Sequence, residues 1–205
     1  MRIFGVILAG GMGRRMGAGG GRVQDAGADK ALLALAGRPL LAHAIDRLSP
    51  QVAALAVSAN GDPARLAGFG LPVLPDDRPV GPLSGILSAL IWAGGQGATA
   101  VVSVPVDAPF LPGDLTPRLC LAAETGQGPA IARAGGRTHP VCGLWPVALA
   151  PDLAAFLASG AKPRVMDFAT AHRAAFADFP DDGAFTNLNT PADLAAAETL
   201  LKEHG

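Results

Sequence analysis

Short apolar runs alternate in this chain with segments whose apolar residues recur at helical spacing. The run 3–8 predicts a first buried strand, and later runs predict strands at 54–59, 71–74 and 99–104. Between the first two strands, one face of a helix is predicted by Leu40, Leu41, Ala44, Ile45 and Leu48. The alternation predicts an α/β fold, namely a single Rossmann-like domain over residues 1–205 with a mostly parallel central sheet flanked by helices.

A further helix is expected after the third strand, because Pro82 suits the first turn of a helix. Its buried face would consist of Ile86, Leu87, Leu90 and Ile91.

The second half of the chain has a different pattern. Two β-type runs, 130–134 and 137–145, are joined at Gly135 and Gly136 and predict a β-ribbon. A helix at 149–157 and a strand at 174–179 are expected to follow.

The last predicted helix has the clearest start. Thr190 can cap it, Pro191 fits its first position, and Asp193 follows the cap by three residues. Its anchoring residues would be Leu194, Leu200 and Leu201.

Charge and cysteine content limit the kinds of partner. Sixteen Lys and Arg residues against 17 Asp and Glu residues leave no positive excess for binding nucleic acid or an anionic membrane. Two cysteines are too few for a disulfide framework or a closed zinc site, which favours a reducing cytoplasm. The sequence also contains no uninterrupted apolar run of about 20 residues, the length that a membrane span needs. We therefore expect a cytoplasmic protein with a small-molecule partner.

A glycine-rich segment, LAGGMGRRMG at residues 8–17, follows the first predicted strand. Its glycines would let backbone amides approach phosphates, and Arg14 and Arg15 would neutralise their charge. The segment lacks the third small position of the dinucleotide fingerprint, and the chain contains no P-loop. By itself such a segment is equally typical of a tight turn with two solvated arginines.

Two further charged residues are candidates for phosphate chemistry. Lys30 follows Asp29 shortly after the glycine-rich segment, and its compact charge can stabilise a reacting phosphoryl group. Asp107 lies just beyond the predicted strand at 99–104, where open α/β sheets bind ligands, and it can serve as a magnesium ligand. The alternatives are a surface ion pair for Asp29–Lys30 and a turn start for Asp107.

Seven motifs occur together, in order, over nearly the whole chain. They are LAGGMGRRMG (8–17), DKALLALAGRPLLAHAIDRL (29–48), SAN (58–60), GPLSGILSAL (81–90), VPVDAPFLP (104–112), HPVCGLW (139–145) and FTNLNTPADL (185–194). In this combination the chain resembles the molybdenum cofactor guanylyltransferases, which have a nucleotidyltransferase fold. One departure is the eleven residues 18–28 between the RMG and DK motifs, where family members have only a few. We expect this insertion to be a surface loop.

The resemblance implies roles for particular residues. Leu8, Ala9 and Gly10 would contact the guanine nucleotide, and Lys30 would contact GTP. The other implied nucleotide or phosphate positions are Gly11, Arg14, Arg15, Asn60 and Asp76, with Asp107 as the Mg²⁺ ligand. His139 on the predicted ribbon, and Asn187 and Asn189 near the last helix, are candidates for binding the second substrate or for local structural roles. Lys30, Arg15 and Asp107 would carry the catalysis.

The implied reaction transfers GMP from GTP to the terminal phosphate of molybdopterin and releases pyrophosphate. Residues 1–110 would mainly bind GTP and Mg²⁺, and residues 111–205 the acceptor, with molybdoenzymes or their chaperones as transient partners. Cytidylyl transfer is the nearest alternative, although cytidylyl relatives typically have alanine where this chain has Gly10. A noncatalytic carrier of the cofactor or of a nucleotide is the alternative from another class.

Overall fold

The computed structural model describes residues 1–10, 29–76, 80–124, 126, 128–160, 162–181 and 183–203. Within these residues the strands are β1 (Ile3–Leu8), β2 (Ala34–Leu35), β3 (Arg38–Pro39), β4 (Ala54–Ser58), β5 (Val73–Leu74), β6 (Ala100–Pro105), β7 (Ala130–Ala134), β8 (Arg137–Pro146) and β9 (Ala175–Phe179). The α-helices are α1 (Leu40–Leu48), α2 (Pro82–Gly94), α3 (Leu115–Glu124), α4 (Ala150–Ala158), α5 (Val165–Ala171) and α6 (Pro191–Glu203).

Seven strands form one sheet in the order β5-β4-β1-β6-β8-β7-β9. Strands β5, β4, β1 and β6 are parallel to one another, and β9 is parallel to β7. Only β8 pairs antiparallel with its two neighbours, β6 and β7. The predicted α/β fold with a mostly parallel sheet is therefore confirmed.

Both faces of the sheet are covered by helices. On one face, Ile7 of β1 packs in a cluster with Leu41 of α1 and Leu115 of α3. On the other, Phe4 of β1 packs with Ile86 of α2 and with residues of α4 and α5. Alternate residues of a strand point to opposite faces, so β1 is apolar at nearly every position, as a strand covered on both sides must be.

The predicted elements agree with the structure closely at β1, α1, the β7–β8 ribbon and the start of α6. Two burial predictions are wrong. Ile91 in α2 is 62% exposed and Leu200 in α6 is 48% exposed, because each helix buries only one stripe of its apolar residues. Helices α3 and α5 were not predicted.

Among the described residues, the structure contains no helix that is both long enough and apolar enough to cross a membrane.

Candidate functional site

The carboxyl ends of four parallel strands meet at one edge of the sheet. Leu8, the last residue of β1, pairs with Ser58 of β4 on one side and with Pro105 of β6 on the other. Backbone hydrogen bonds continue past the strands, since the Ala9 N–H donates to the Ser58 carbonyl and the Val106 N–H to the Leu8 carbonyl. The chain segments that carry Gly10, Asn60, Asp76 and Asp107 therefore lie along this edge.

Asp76 is held beside Gly10 by two polar side chains. The Ser58 hydroxyl donates to Asp76 Oδ1 at 3.0 Å, and Asn60 Nδ2 donates to Asp76 Oδ2 at 3.4 Å. The Asp76 N–H in turn donates to Asn60 Oδ1 at 2.9 Å. A Cβ atom added at the exposed Gly10 would lie 3.8 Å from Asp76 Oδ2, an ordinary contact distance. The carboxylate is thus fixed next to the start of the glycine-rich segment.

Gly85 in the GPLSG motif allows α2 to approach this part of the site. A Cβ atom at Gly85 would overlap the Ser58 hydroxyl and crowd the Leu8 side chain. Because Ser58 holds Asp76, the close packing of α2 also supports the position of the carboxylate.

Lys30 and Asp107 meet at the same edge of the sheet. Lys30 Nζ lies 2.5 Å from Asp107 Oδ2 and donates to Asn189 Oδ1 at 2.6 Å. The side chains of Lys30 and Asp107 are only 18% and 14% exposed. The three residues come from distant parts of the chain. Their contact brings a positive ammonium group and a negative carboxylate to the edge of the sheet, where a phosphate group can bind.

The position of Lys30 follows from its neighbour Asp29. Asp29 caps a short 3₁₀ turn, Lys30–Leu32, by accepting the Ala31 N–H at 3.1 Å. The other carboxylate oxygen of Asp29 accepts from Arg65 Nε at 2.6 Å. Arg65 also donates to the Asp62 carbonyl, so the turn that carries Lys30 is tied to the segment after β4.

Asp107 is connected to the other half of the chain through its backbone. Its carbonyl accepts the Leu188 N–H at 2.8 Å, and Leu188 is 2% exposed within a cluster that contains Leu35 and Leu40. Asn187 and Asn189 on either side of Leu188 are exposed, as expected for alternate residues of an extended segment. Of these two side-chain amides, that of Asn189 accepts a hydrogen bond from Lys30 Nζ.

Strand β8 is irregular beside the site. The pairing of β7 with β8 shifts between Ile131, which is opposite Gly143, and Ala132, which is opposite His139. Burial, and to a smaller extent the negative charge of Asp107, raise the pKa of the Cys142 thiol in this irregular part. His139 lies on β8 as predicted and stacks on Phe185, with ring centroids 4.5 Å apart. This placement is compatible both with binding of the second substrate and with a local structural role.

Asp107 is the candidate Mg²⁺ ligand at this edge of the sheet. Within the described ranges, no three His, Cys, Asp or Glu side chains are grouped so that they can hold a metal ion by themselves. Magnesium usually takes one or two carboxylates and completes its octahedron with phosphate and water oxygens. A single carboxylate at the open edge of the sheet fits that pattern.

Some predicted site residues belong to the glycine-rich segment or to the insertion that follows it. Gly11, Arg14, Arg15 and the insertion 18–28 lie outside the described residues. Of the other predicted residues, Gly10 and Asn60 lie beside Asp76, whereas Asp107 and Asn189 contact Lys30.

Sequence reasoning missed Ser58 and Arg65 as supporting residues. Each acts through a partner that is distant in sequence, 18 residues away for Ser58 and 36 for Arg65. Ser58 lies within the SAN motif, whereas Arg65 lies in none of the seven motifs.

Known proteins are similar to this chain over most of its length. The model of the MobA-like NTP transferase domain matches residues 5–175. A molybdenum cofactor guanylyltransferase of Cereibacter sphaeroides is 61% identical over 203 residues, which cover 99% of each chain. The protein of the same name from Acidiphilium cryptum is 50% identical, with coverage of 94% of this chain and 92% of that one.

Solved structures share the fold at much lower identity. Molybdopterin-guanine dinucleotide biosynthesis protein A from Archaeoglobus fulgidus superimposes with a TM-score of 0.71 at 20% identity, covering 98% of this chain and 99% of that one. 4-Diphosphocytidyl-2C-methyl-D-erythritol synthase from Anaerococcus prevotii gives a TM-score of 0.74 at 13% identity, with coverage of 98% and 96%.

The fold is thus shared with an enzyme of a different name. The two relatives with high identity over nearly the full length are both named molybdenum cofactor guanylyltransferase. The chain belongs to the molybdenum cofactor guanylyltransferases, nucleotidyltransferases of the MobA-like NTP transferase domain family.

Proposed function

We propose that this protein transfers GMP from GTP to the terminal phosphate of molybdopterin, with release of pyrophosphate. The observation that carries the proposal is the contact of Lys30 with Asp107 and Asn189 at the edge of the sheet that also carries Asp76 and Gly10. A nucleotide that reaches from Asp76 to Lys30 would have its base at one group and its phosphates at the other.

Base recognition is assigned to the residues around Asp76. The guanine edge presents an N–H and an amino group side by side, and both can donate to one carboxylate. Cytosine presents an amino group beside an acceptor nitrogen, which a carboxylate would repel. Asp76, supported by Asn60 and Ser58, therefore favours guanine, and the backbone of Leu8, Ala9 and Gly10 would lie along the nucleotide.

The proposed chemistry requires little proton transfer. A phosphate monoester has a second pKa of about 6, so the terminal phosphate of molybdopterin is largely dianionic at neutral pH. It would attack the α-phosphorus of GTP while pyrophosphate leaves in line. The main barrier is repulsion between two anionic groups, and fixed cations lower it.

Lys30 is the fixed cation for which the structure gives contacts. Asp107 and Asn189 hold its ammonium group on two sides. Arg14 and Arg15 would add charge from the glycine-rich segment.

Asp107 is the residue proposed to hold Mg²⁺. The ion, when bound, would neutralise phosphate oxygens of the triphosphate and help to orient them.

The acceptor is assigned mainly to residues 111–205, with His139, Asn187 and Asn189 as candidates to contact it. Transfer of the product to molybdoenzymes or their chaperones would follow. We place the reaction in the cytoplasm, because the buried Cys142 and the partly buried Cys120 are both free thiols.

A pyrophosphate-release assay tests the proposal. Purified protein is incubated in the presence of Mg²⁺ with GTP alone, with molybdopterin alone, or with both substrates. Release is expected only when both substrates are present, and CTP should replace GTP poorly. Nucleotide binding without any pyrophosphate would indicate a carrier, and equal turnover with CTP would contradict the assignment of base recognition.

A further inference from the structure

Asp193 connects the start of helix α6 to the residue that binds Lys30. Asp193 Oδ2 accepts the backbone N–H of Asn189 and of Thr190, each at 2.8 Å. The Thr190 hydroxyl in return accepts the Asp193 N–H at 3.1 Å. This is a reciprocal helix cap, and its outermost bond reaches the backbone of Asn189.

The same residue, Asn189, holds the ammonium group of Lys30. Its Oδ1 lies 2.6 Å from Lys30 Nζ, and its backbone is fixed on one side by Asp193. On the other side, Leu188 donates its N–H to the Asp107 carbonyl. The side-chain amide of Asn189 is thus aimed at Lys30 by two backbone attachments.

Helix α6, which carries Asp193, is anchored by apolar packing. Its Ala197 is buried in a cluster with Leu35, Leu40 and Leu188, and Leu194 and Leu201 pack against the cluster. Leu35 lies in the segment that follows Lys30, so the helix and the lysine are built on the same packed layer.

We propose that Asp193 is a positioning residue for guanylyl transfer, which holds Asn189 so that the Lys30 ammonium stays beside Asp107. The backbone N–H groups of Asn189 and Thr190, together with the charge of Lys30, keep the pKa of Asp193 below its ordinary value, which agrees with a carboxylate that is ionised at neutral pH. The expected effect on guanylyl transfer rests on the proposed function. The expected effect on the Lys30 ammonium group, which Asp193 would hold in place, is independent of that function.

Thr190 provides a matched control. Thr190→Ala removes the other half of the cap and should lower the stability of α6, but it leaves the acceptor for the Asn189 N–H in place. Asp193→Ala removes the acceptor for the Asn189 and Thr190 N–H groups, but it leaves the bond from the residue 193 N–H to the Thr190 hydroxyl in place. A role in helix capping alone predicts similar effects for the two variants, whereas the proposal predicts that only Asp193→Ala disturbs Lys30.

The kinetic test measures kcat and KM for GTP in the guanylyl-transfer assay, below the melting temperature of each variant. We expect Asp193→Ala to lower kcat ten- to a hundredfold with less than a threefold change in KM. Thr190→Ala should retain kcat within twofold. Asp193→Asn keeps an oxygen acceptor without the charge, and its kcat should fall three- to tenfold. It replaces the alanine variant if that variant does not fold.

A second measurement is independent of activity. The chain contains three lysines, so the ¹⁵N spectrum of its side-chain ammonium groups is simple, and Lys30→Arg assigns the Lys30 signal. Slow proton exchange of the Lys30 ammonium is expected in the wild type and in Thr190→Ala, and fast exchange in the Asp193 variants. Equal exchange and equal kcat in the Asp193 and Thr190 variants would overturn the proposal. If the wild type shows a protected Lys30 signal but no guanylyl transfer, the proposed function fails and the positioning of Lys30 by Asp193 is still tested by this spectrum.

Discussion

Lys30 and Asp107 are 77 residues apart in the sequence, yet Lys30 Nζ lies 2.5 Å from Asp107 Oδ2. Their side chains are 18% and 14% exposed, so the pair is largely shielded from solvent. Asn189 completes the arrangement by accepting from the same ammonium group at 2.6 Å. The charged part of the proposed active site is therefore held together by contacts between side chains that are distant in the sequence.

Lys30→Ala and Asp107→Ala should each abolish most of the turnover without unfolding the protein. Loss of one preorganised charge from a transition state costs about 10²–10³-fold in kcat. Both residues lie at the edge of the sheet, outside its two large apolar clusters, so each variant should fold, although the shielded partner that loses its counter-charge should lower Tm. Steady-state kinetics and thermal denaturation followed by circular dichroism check the two expectations.

The matched control for this experiment is Arg38→Ala. Arg38 forms an ion pair with Asp46 whose side chains are 54% and 57% exposed, and such pairs contribute little to stability. Turnover should stay within twofold of the wild type. Wild-type rates in Lys30→Ala or Asp107→Ala would contradict the roles assigned to them.

Gly10→Ala should weaken the preference for GTP over CTP. The new methyl group would lie 3.8 Å from Asp76 Oδ2, so it fits the fold but occupies the space between the carboxylate and the base. We expect kcat/KM for GTP to fall about tenfold, which corresponds to about 1.4 kcal/mol. Competition between GTP and CTP measures the change, and an unaltered GTP to CTP ratio would show that Gly10 has no part in base recognition.

Ser103→Ala should destabilise the fold without a direct effect on chemistry. The Ser103 hydroxyl accepts from the buried Trp145 Nε1 at 2.9 Å and donates to the Val141 carbonyl at 2.6 Å. The substitution leaves the indole N–H without this acceptor, at a cost of about 1–3 kcal/mol. Urea denaturation followed by tryptophan fluorescence measures the loss. The control is Ser159→Ala, which removes an exposed hydroxyl and should have a much smaller effect.

The stability of the folded state should decrease with rising pH above about 8.5, the ordinary pKa of a cysteine thiol. Burial raises the pKa of Cys142 in the folded protein, so the folded state keeps a proton that the unfolded state loses. Because the folded state then binds more protons, the free energy of unfolding falls as pH rises. Urea titrations between pH 7.5 and pH 9.5 test this, and Cys142→Ala should show a flatter dependence on pH. The same slope in both proteins would exclude Cys142 as its source.

The fold could be predicted from the sequence where local patterns carry the information. Apolar runs identify β1 and the strands beside it, and the Thr190–Pro191–Asp193 pattern marks the start of α6 because a helix cap is a local structure. The exposure of Ile91 could not be predicted, since the apolar pattern of α2 extends beyond its buried face.

Some positions of the candidate site could be predicted from the sequence, but their contacts could not. The sequence places Asp107 after a strand and Lys30 after the glycine-rich segment, and both expectations agree with their positions at the edge of the sheet. The bond from Lys30 to Asn189 spans 159 residues and depends on how α6 packs against Leu35 and Leu40. Likewise, the predicted ribbon did not reveal that β8 would enter the main sheet between β6 and β7.

The central claim is that Lys30 and Asp107 receive the triphosphate at the edge of the sheet. A crystal structure with Mn²⁺ and a GTP analogue that carries a methylene group between the α- and β-phosphorus atoms tests it most directly. The account predicts an anomalous signal from the metal at the Asp107 carboxylate, with Lys30 Nζ within hydrogen-bonding distance of a phosphate oxygen and the guanine beside Asp76. A nucleotide bound elsewhere, with Lys30 and Asp107 contacting neither phosphate nor metal, would contradict it.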